Sequence, residues 1–117
     1  MLRAAFSRWA SWDGKVIADI CVTPIGTGNA SVSLAVAQVE EILARYPLRL
    51  KFHAYGTNLE GQWDDVSDAI KAVHLNLHDQ GFVRISSNMR WGSRVDKFQT
   101  LEDKVNKVHE IQASKKT

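Results

Sequence analysis

The sequence predicts an α+β domain in which helices cover one face of a single antiparallel sheet. Three observations carry that expectation. Apolar residues recur with a period of two in two stretches and near 3.6 in three others, and these are the periods of half-buried strands and of amphipathic helices, while a β-branched run and a short return segment supply two further strands. The stretches alternate in the order β-α-β-β-α-β, with one further helix at the end. Glycine, proline and capping residues sit at the joints. The chain has 117 residues, 44% of them hydrophobic and 24% charged, which is a globular composition and enough for one domain.

Residues 16–25 form a β-branched run closed by Pro24, Gly26 and Gly28, and read as the first strand. A helix is expected over 31–45, because Val32, Val36, Val39 and Leu43 share one face and Pro47 follows just past its end. Over 48–55, Leu48, Leu50, Phe52 and Ala54 alternate with Arg49, Lys51, His53 and Tyr55, as a half-buried strand does. Gly56 permits a turn, and 57–62 returns as a short strand. Asp64 or Asp65 opens the second helix, whose stripe is Val66, Ile70, Val73 and Leu77, with Gly81 at the C′ position. In the last strand, over 82–91, Val83, Ile85 and Met89 alternate with Arg84, Ser86, Asn88 and Arg90. Thr100 and Asp103 are spaced as a capping box before Leu101, Val105 and Val108. Two β-α-β halves over one sheet make the ferredoxin-like arrangement, here with an added C-terminal helix.

The ends read differently. Residues 1–15 hold Arg3, Arg8 and Lys15 against Asp13 alone, and Leu2, Phe6 and Trp9 would line one side of a short helix. We read them as an N-terminal extension, with a mitochondrial transit peptide as the alternative. Residues 113–117 are basic and polar and read as a disordered tail, which leaves 16–112 as the domain.

Several functions are excluded by composition. A formal net charge of +2 does not make a nucleic-acid surface, and 82–91 lacks the aromatic block of an RNA-recognition strand. No apolar run approaches the roughly 20 residues of a membrane span. Cys21 is the single cysteine, so no disulfide framework or cysteine-rich zinc site is expected, and the compartment is reducing. His74 and His78 stand at i and i+4, but no third ligand accompanies them, so no metal is expected. No cofactor and no catalytic residue is expected either.

In this arrangement the helices leave one face of the sheet open. It would carry Lys51, His53 and Tyr55, then Arg84, Ser86, Asn88 and Arg90, together with Asn58 and Glu60 from the third strand and Asp19, Cys21 and Thr23 from the first. The register of those last two strands is not fixed by the pattern. Hydrogen-bonding groups, an imidazole, a phenol and charges of both signs make a ligand-binding surface, and Ile17, Ile25 and Trp91 beside them point to a covering second copy. A second possibility is an anion held by the amides around Gly28, Asn29 and Ser31. A third is acid–base chemistry by Asp96, Glu60 and His53.

Three ordered blocks carry a resemblance. Pro24-Ile25-Gly26-Thr27-Gly28 with Ser31, Ser33 and Leu34 comes first. Tyr55-Gly56-Thr57-Asn58-Leu59-Glu60-Gly61 follows, and the third is Met89-Arg90-Trp91-Gly92-Ser93-Arg94-Val95-Asp96-Lys97 with Leu101-Glu102-Asp103-Lys104-Val105. Together they resemble the thiamine-binding, YkoF-like family of small proteins, long catalogued as uncharacterised. The family pattern has Met where this chain has Tyr55, Lys where it has Arg90 and Ile where it has Trp91. The resemblance implies a ferredoxin-like fold, homodimers or homotetramers joined through the open sheet face, and non-catalytic binding of thiamine or its hydroxymethylpyrimidine moiety between subunits. The ligand-binding residues are then Thr23, His53, Tyr55, Thr57, Asn58, Glu60, Ser86, Asn88 and Arg90, with Glu60 or Asp19 to balance the thiazolium charge. Tyr55, His53 or Trp91 would stack on a ring. The alternative ligand is sulfate or phosphate, bound by Gly28, Asn29, Ser31, Arg90 and Arg94. A cytoplasmic location is expected, or a mitochondrial one if residues 1–15 are a transit peptide.

Overall fold

The computed structural model describes residues 12–115. Strand β1 (Lys15–Ile25) is followed by helix α1 (Ser33–Leu43), strands β2 (Arg49–His53) and β3 (Gly56–Gln62), helix α2 (Trp63–Asp79), strand β4 (Arg84–Gly92) and helix α3 (Leu101–Lys115). The strands form one sheet in the order β2-β3-β1-β4, and every neighbouring pair is antiparallel. This is the expected ferredoxin-like topology with its additional helix.

The core lies between the sheet and α1 and α2. Val16, Ala18, Ile20 and Val22 of β1 and Leu59 of β3 point inward, against Ala35, Val39, Ile42 and Leu43 of α1 and Val66, Ala69, Val73 and Leu77 of α2. Burying a side chain of the Leu or Ile class contributes about 1.5–3 kcal/mol, so this cluster holds the fold together. Phe52 shares the parity of the core residues but stays 61% exposed, because β2 is an edge strand.

The helix ends obey local chemistry. At the C-terminus of α2, the Phe82 amide donates to the Leu77 carbonyl at 3.1 Å and the Gly81 amide donates to that of His78 at 3.0 Å. Gly81 has φ +102°, the backbone that this closing turn requires. At the start of α3, the Asp103 amide donates to Thr100 Oγ1 at 3.1 Å and the Thr100 amide to Asp103 Oδ2 at 3.0 Å, which completes the expected capping box.

Both boundaries shift. Lys15 is the first residue of β1, and Trp12 packs edge-on against Trp63, so residues 12–15 belong to the domain rather than to an extension. The expected stripe of Leu2, Phe6 and Trp9 lies outside the described residues. Residues 113–115, expected as tail, continue α3, where Ser114 Oγ donates to the Ile111 carbonyl at 2.8 Å. Among the described residues, no helix is long and apolar enough to cross a membrane.

Candidate functional site

The pairing registers set out the open face in rows. Arg49, Glu60, Ile17 and Gly92 lie side by side, and the next row is Lys51, Asn58, Asp19 and Arg90. His53 opposite Gly56 and Cys21 opposite Asn88 follow, and Thr23 then stands opposite Ser86. The parity of β1 decides this arrangement. With Val16, Ala18 and Ile20 buried, Asp19, Cys21 and Thr23 must point the other way.

Asp19 is the hub of the face. Its Oδ1 receives His53 Nε2 at 2.7 Å and Asn58 Nδ2 at 3.2 Å, and Arg90 Nη2 donates to Oδ2 at 3.2 Å. The carboxylate thus gathers donors from all three other strands. The bond from His53 holds the Asp19 carboxyl below the usual carboxylate range; partial burial opposes this and Arg90 reinforces it. The imidazole is fixed in its turn. The Tyr55 amide donates to His53 Nδ1 at 3.2 Å, which makes Nδ1 an acceptor and leaves Nε2–H to donate to Asp19.

Gly56 makes that reach across β3 open. A Cβ there would stand 2.3 Å from the Ile20 carbonyl oxygen and 3.4 Å from His53 Cε1. Without one, the imidazole lies over β3 and meets a residue two strands away. The sequence marked Gly56 as a turn and Asp19 as one of two counter-charges. It did not single out either as the organising residue, although β1 parity was the available signal.

The other expected site residues are distributed as follows. Asn88, Ser86 and Thr23 are exposed on the same face beyond the Asp19 row. Tyr55 is 86% exposed at the hairpin tip, off the face. Thr57 does not join the site. Its register opposite Ile20 turns it to the helix side, where it is buried and its Oγ1 donates to Glu40 Oε1 at 2.5 Å. Glu60 is on the open side but only 6% exposed, with Oε1 taking the Leu101 amide at 2.6 Å and Oε2 lying 3.6 Å from Lys15 Nζ. It anchors α3 rather than facing a ligand. Trp91 has the parity of Met89 and stacks on Trp63 with centroids 4.3 Å apart on the helix side, away from the open face.

The expected anion cluster does not assemble. Gly28, Asn29 and Ser31 follow Ile25, whereas Arg94 follows Gly92, which pairs with Ile17; about 26 Å of strand separates the two ends. The loop amides are also occupied, Asn29 by Thr27 Oγ1 and Ser31 by Asn29 Oδ1. Arg94 donates through Nε to Asp96 Oδ1 at 2.6 Å and pulls the Asp96 carboxyl down to about 2. It lines a cavity of about 390 Å³ with Lys15, Lys97, Phe98 and Lys104, where Lys15 Nζ sits 3.7 Å over the Phe98 ring.

The three residues considered for acid–base chemistry are each committed elsewhere: His53 through both nitrogens, Glu60 through both oxygens and Asp96 to Arg94. His74 Nε2 lies 2.6 Å from Ser87 Oγ, and burial lowers its pKa with help from His78. His78 Nδ1 donates to the Phe82 carbonyl at 2.7 Å.

Comparison with known proteins adds the lineage. The model of a family described as thiamine-binding protein matches residues 18–109. The chain belongs to the thiamine-binding protein family. Its relatives include a UPF0045 protein of Synechocystis, 48% identical over 94 residues that cover 80% of this chain and 77% of that one. Another, from Eremothecium gossypii, is 42% identical over 79% of this chain and 88% of its own. Among solved structures, that of the UPF0045 protein of Methanocaldococcus jannaschii superimposes with a TM-score of 0.77 at 34% identity, covering 83% of this chain and 98% of that one. A Thermotoga maritima protein provisionally assigned to thiamine biosynthesis or salvage shares the fold at a TM-score of 0.69 and 20% identity, over 80% and 98% of the two chains.

Proposed function

We propose that this chain binds thiamine, or the hydroxymethylpyrimidine half of it, on the open face of the sheet, in pockets that a second copy of the chain completes. The observation that carries the reading is the Asp19 carboxylate, held ionised at the centre of that face by His53, Asn58 and Arg90. Membership of the thiamine-binding family supports it. An aminopyrimidine edge needs a donor and an acceptor side by side, which Asn88, Ser86 and Thr23 offer in the adjoining rows. The thiazolium is a fixed cation and needs a carboxylate. Arg90 would repel it if free, but its guanidinium is already turned to Asp19. A second copy laid on this face would desolvate the charges and enclose the ligand, giving a homodimer or homotetramer. The role is binding without chemistry, in the cytoplasm, or in mitochondria if residues 1–15 act as a transit peptide.

Titration calorimetry with thiamine and with hydroxymethylpyrimidine tests this, alongside light scattering for the oligomer. Saturable heat is expected, and Asp19→Asn should weaken thiamine binding about ten-fold, as loss of a charge-assisted contact does. No heat at millimolar ligand in an intact oligomer would refute the proposal.

A second reading rests on the cavity lined by Lys15, Arg94, Lys97 and Lys104, where four cations face Asp13 and Asp96. It suits sulfate or phosphate. If phosphate raises the melting temperature saturably and Arg94→Ala removes the effect, this reading prevails.

A further inference from the structure

The helix side of the sheet carries a cleft that the proposed ligand site does not use. The chain enters β1 through a fixed bend at which Gly14, with φ +81°, accepts the Trp63 amide at 2.8 Å. Trp12 Nε1–H donates to the Lys15 carbonyl at 3.0 Å, which sets the plane of its indole. The Trp12 and Trp63 rings then stand 6.2 Å apart at 83°, as two walls of a corner. Trp91 stacks on Trp63 at 4.3 Å and backs that wall, while Trp63 remains 45% exposed. In front of the corner lies a cleft of about 590 Å³, closed by Gln62, Asp64, Ser93 and Val95.

Its chemistry is the opposite of the neighbouring basic cavity. Among the described residues no Lys, Arg or His lines it, and its lining is mostly apolar. Among the described residues its one charged group is Asp64, and no ion pair forms with it there. Indole faces attract cations through their ring quadrupole, most strongly where water is excluded, and a carboxylate at the rim adds direct charge attraction. An anion would meet only repulsion here, and a neutral apolar molecule would use the rings but not Asp64.

We infer that the Trp12–Trp63 corner is a binding site for a small soluble organic ammonium, seated against the two indoles and balanced by Asp64. The Trp12 indole is held by its bond to the Lys15 carbonyl and the Trp63 ring by stacking on Trp91 before any ligand arrives, so little ordering opposes binding.

The test uses the full chain labelled with 15N, titrated with choline while the indole Nε1–H resonances of Trp12 and Trp63 are followed. Saturable shifts of both are expected. The neutral isostere 3,3-dimethylbutan-1-ol should bind about ten-fold more weakly, and Asp64→Asn should weaken choline about three- to ten-fold while lowering the melting temperature by only a few degrees, the share of one first-turn acid. Trp12→Ala should abolish saturation; Asp64→Asn keeps the test decisive if that variant fails to fold. Absence of saturation by about 50 mM choline overturns the site, since even weak cation recognition lies below that. Equal binding of the isostere, or indifference to Asp64→Asn, also overturns it. Choline binding that emerges only after removal of residues 1–11 would make the chain's own N-terminus the occupant, and capture by phosphatidylcholine vesicles without free choline would assign a lipid surface; either result overturns the proposal.

Discussion

The two faces of the sheet use the same strands to opposite ends. On the helix side, β1 contributes Val16, Ala18, Ile20 and Val22, all buried and packed against α1 and α2. On the other side, the intervening residues Asp19, Cys21 and Thr23 face away from α1 and α2. Yet Asp19 makes more specific contacts than any core residue, with three donors from three strands. One face is held by non-directional burial and close packing. The other is held by directed bonds, and its value lies in the placement of charge. Stability and recognition are thereby separated by a one-residue step along each strand.

That separation can be broken deliberately. Leu59→Ala removes a fully buried side chain from the helix side and should cost about 2–5 kcal/mol in a denaturant titration, with the open-face groups untouched. Gly56→Ala attacks the junction of the two faces. Its Cβ would meet the Ile20 carbonyl oxygen, so the hairpin must shift, and a loss of about 1–3 kcal/mol should accompany displacement of His53 in NMR spectra. Asp19→Asn should cost only about 1 kcal/mol, the scale of a partly exposed hydrogen-bonded group, while affecting ligand binding far more. Because the Asp19 carboxyl is depressed in the folded state, its contribution is present above about pH 4, the unfolded value, and is lost as pH falls through the lower folded value. The Asn variant should lose that part of the acid sensitivity. Smallest of all, His74 is held neutral by burial, so its share of stability is complete above about pH 6.5 and fades as pH falls through its lowered folded value. His74→Gln should flatten the melting-temperature profile between about pH 7.5 and 5.5.

Much of this was legible in the residues. Period-two alternation in 48–55 and 82–91 assigns the open face, and the capping box at Thr100 and Asp103 and the C′ glycine Gly81 mark helix ends through local chemistry alone. Thr57 was misplaced because the segment Gly56–Gln62 has mixed faces, and its parity is fixed only by pairing with β1. Trp91 was placed against its own alternation with Met89; its partner Trp63, 28 positions earlier, is what draws it to the helix side. Nor can spacing foretell that Glu60 would be used by the Leu101 amide, a contact between residues 41 apart. Local bonds are written in local sequence, whereas long-range ones depend on how elements dock.

The Glu60–Leu101 bond has a dynamic consequence. Helix α3 buries none of its residues, and Val105, Val108 and Ile111 are about half exposed along it. It is a cantilever, clamped at the first turn by a carboxylate seated in the sheet and by the pair of Arg49 with Glu102. Amide exchange should therefore be graded along its length, with the Leu101 proton surviving until the sheet opens and those beyond Val105 exchanging through local unwinding.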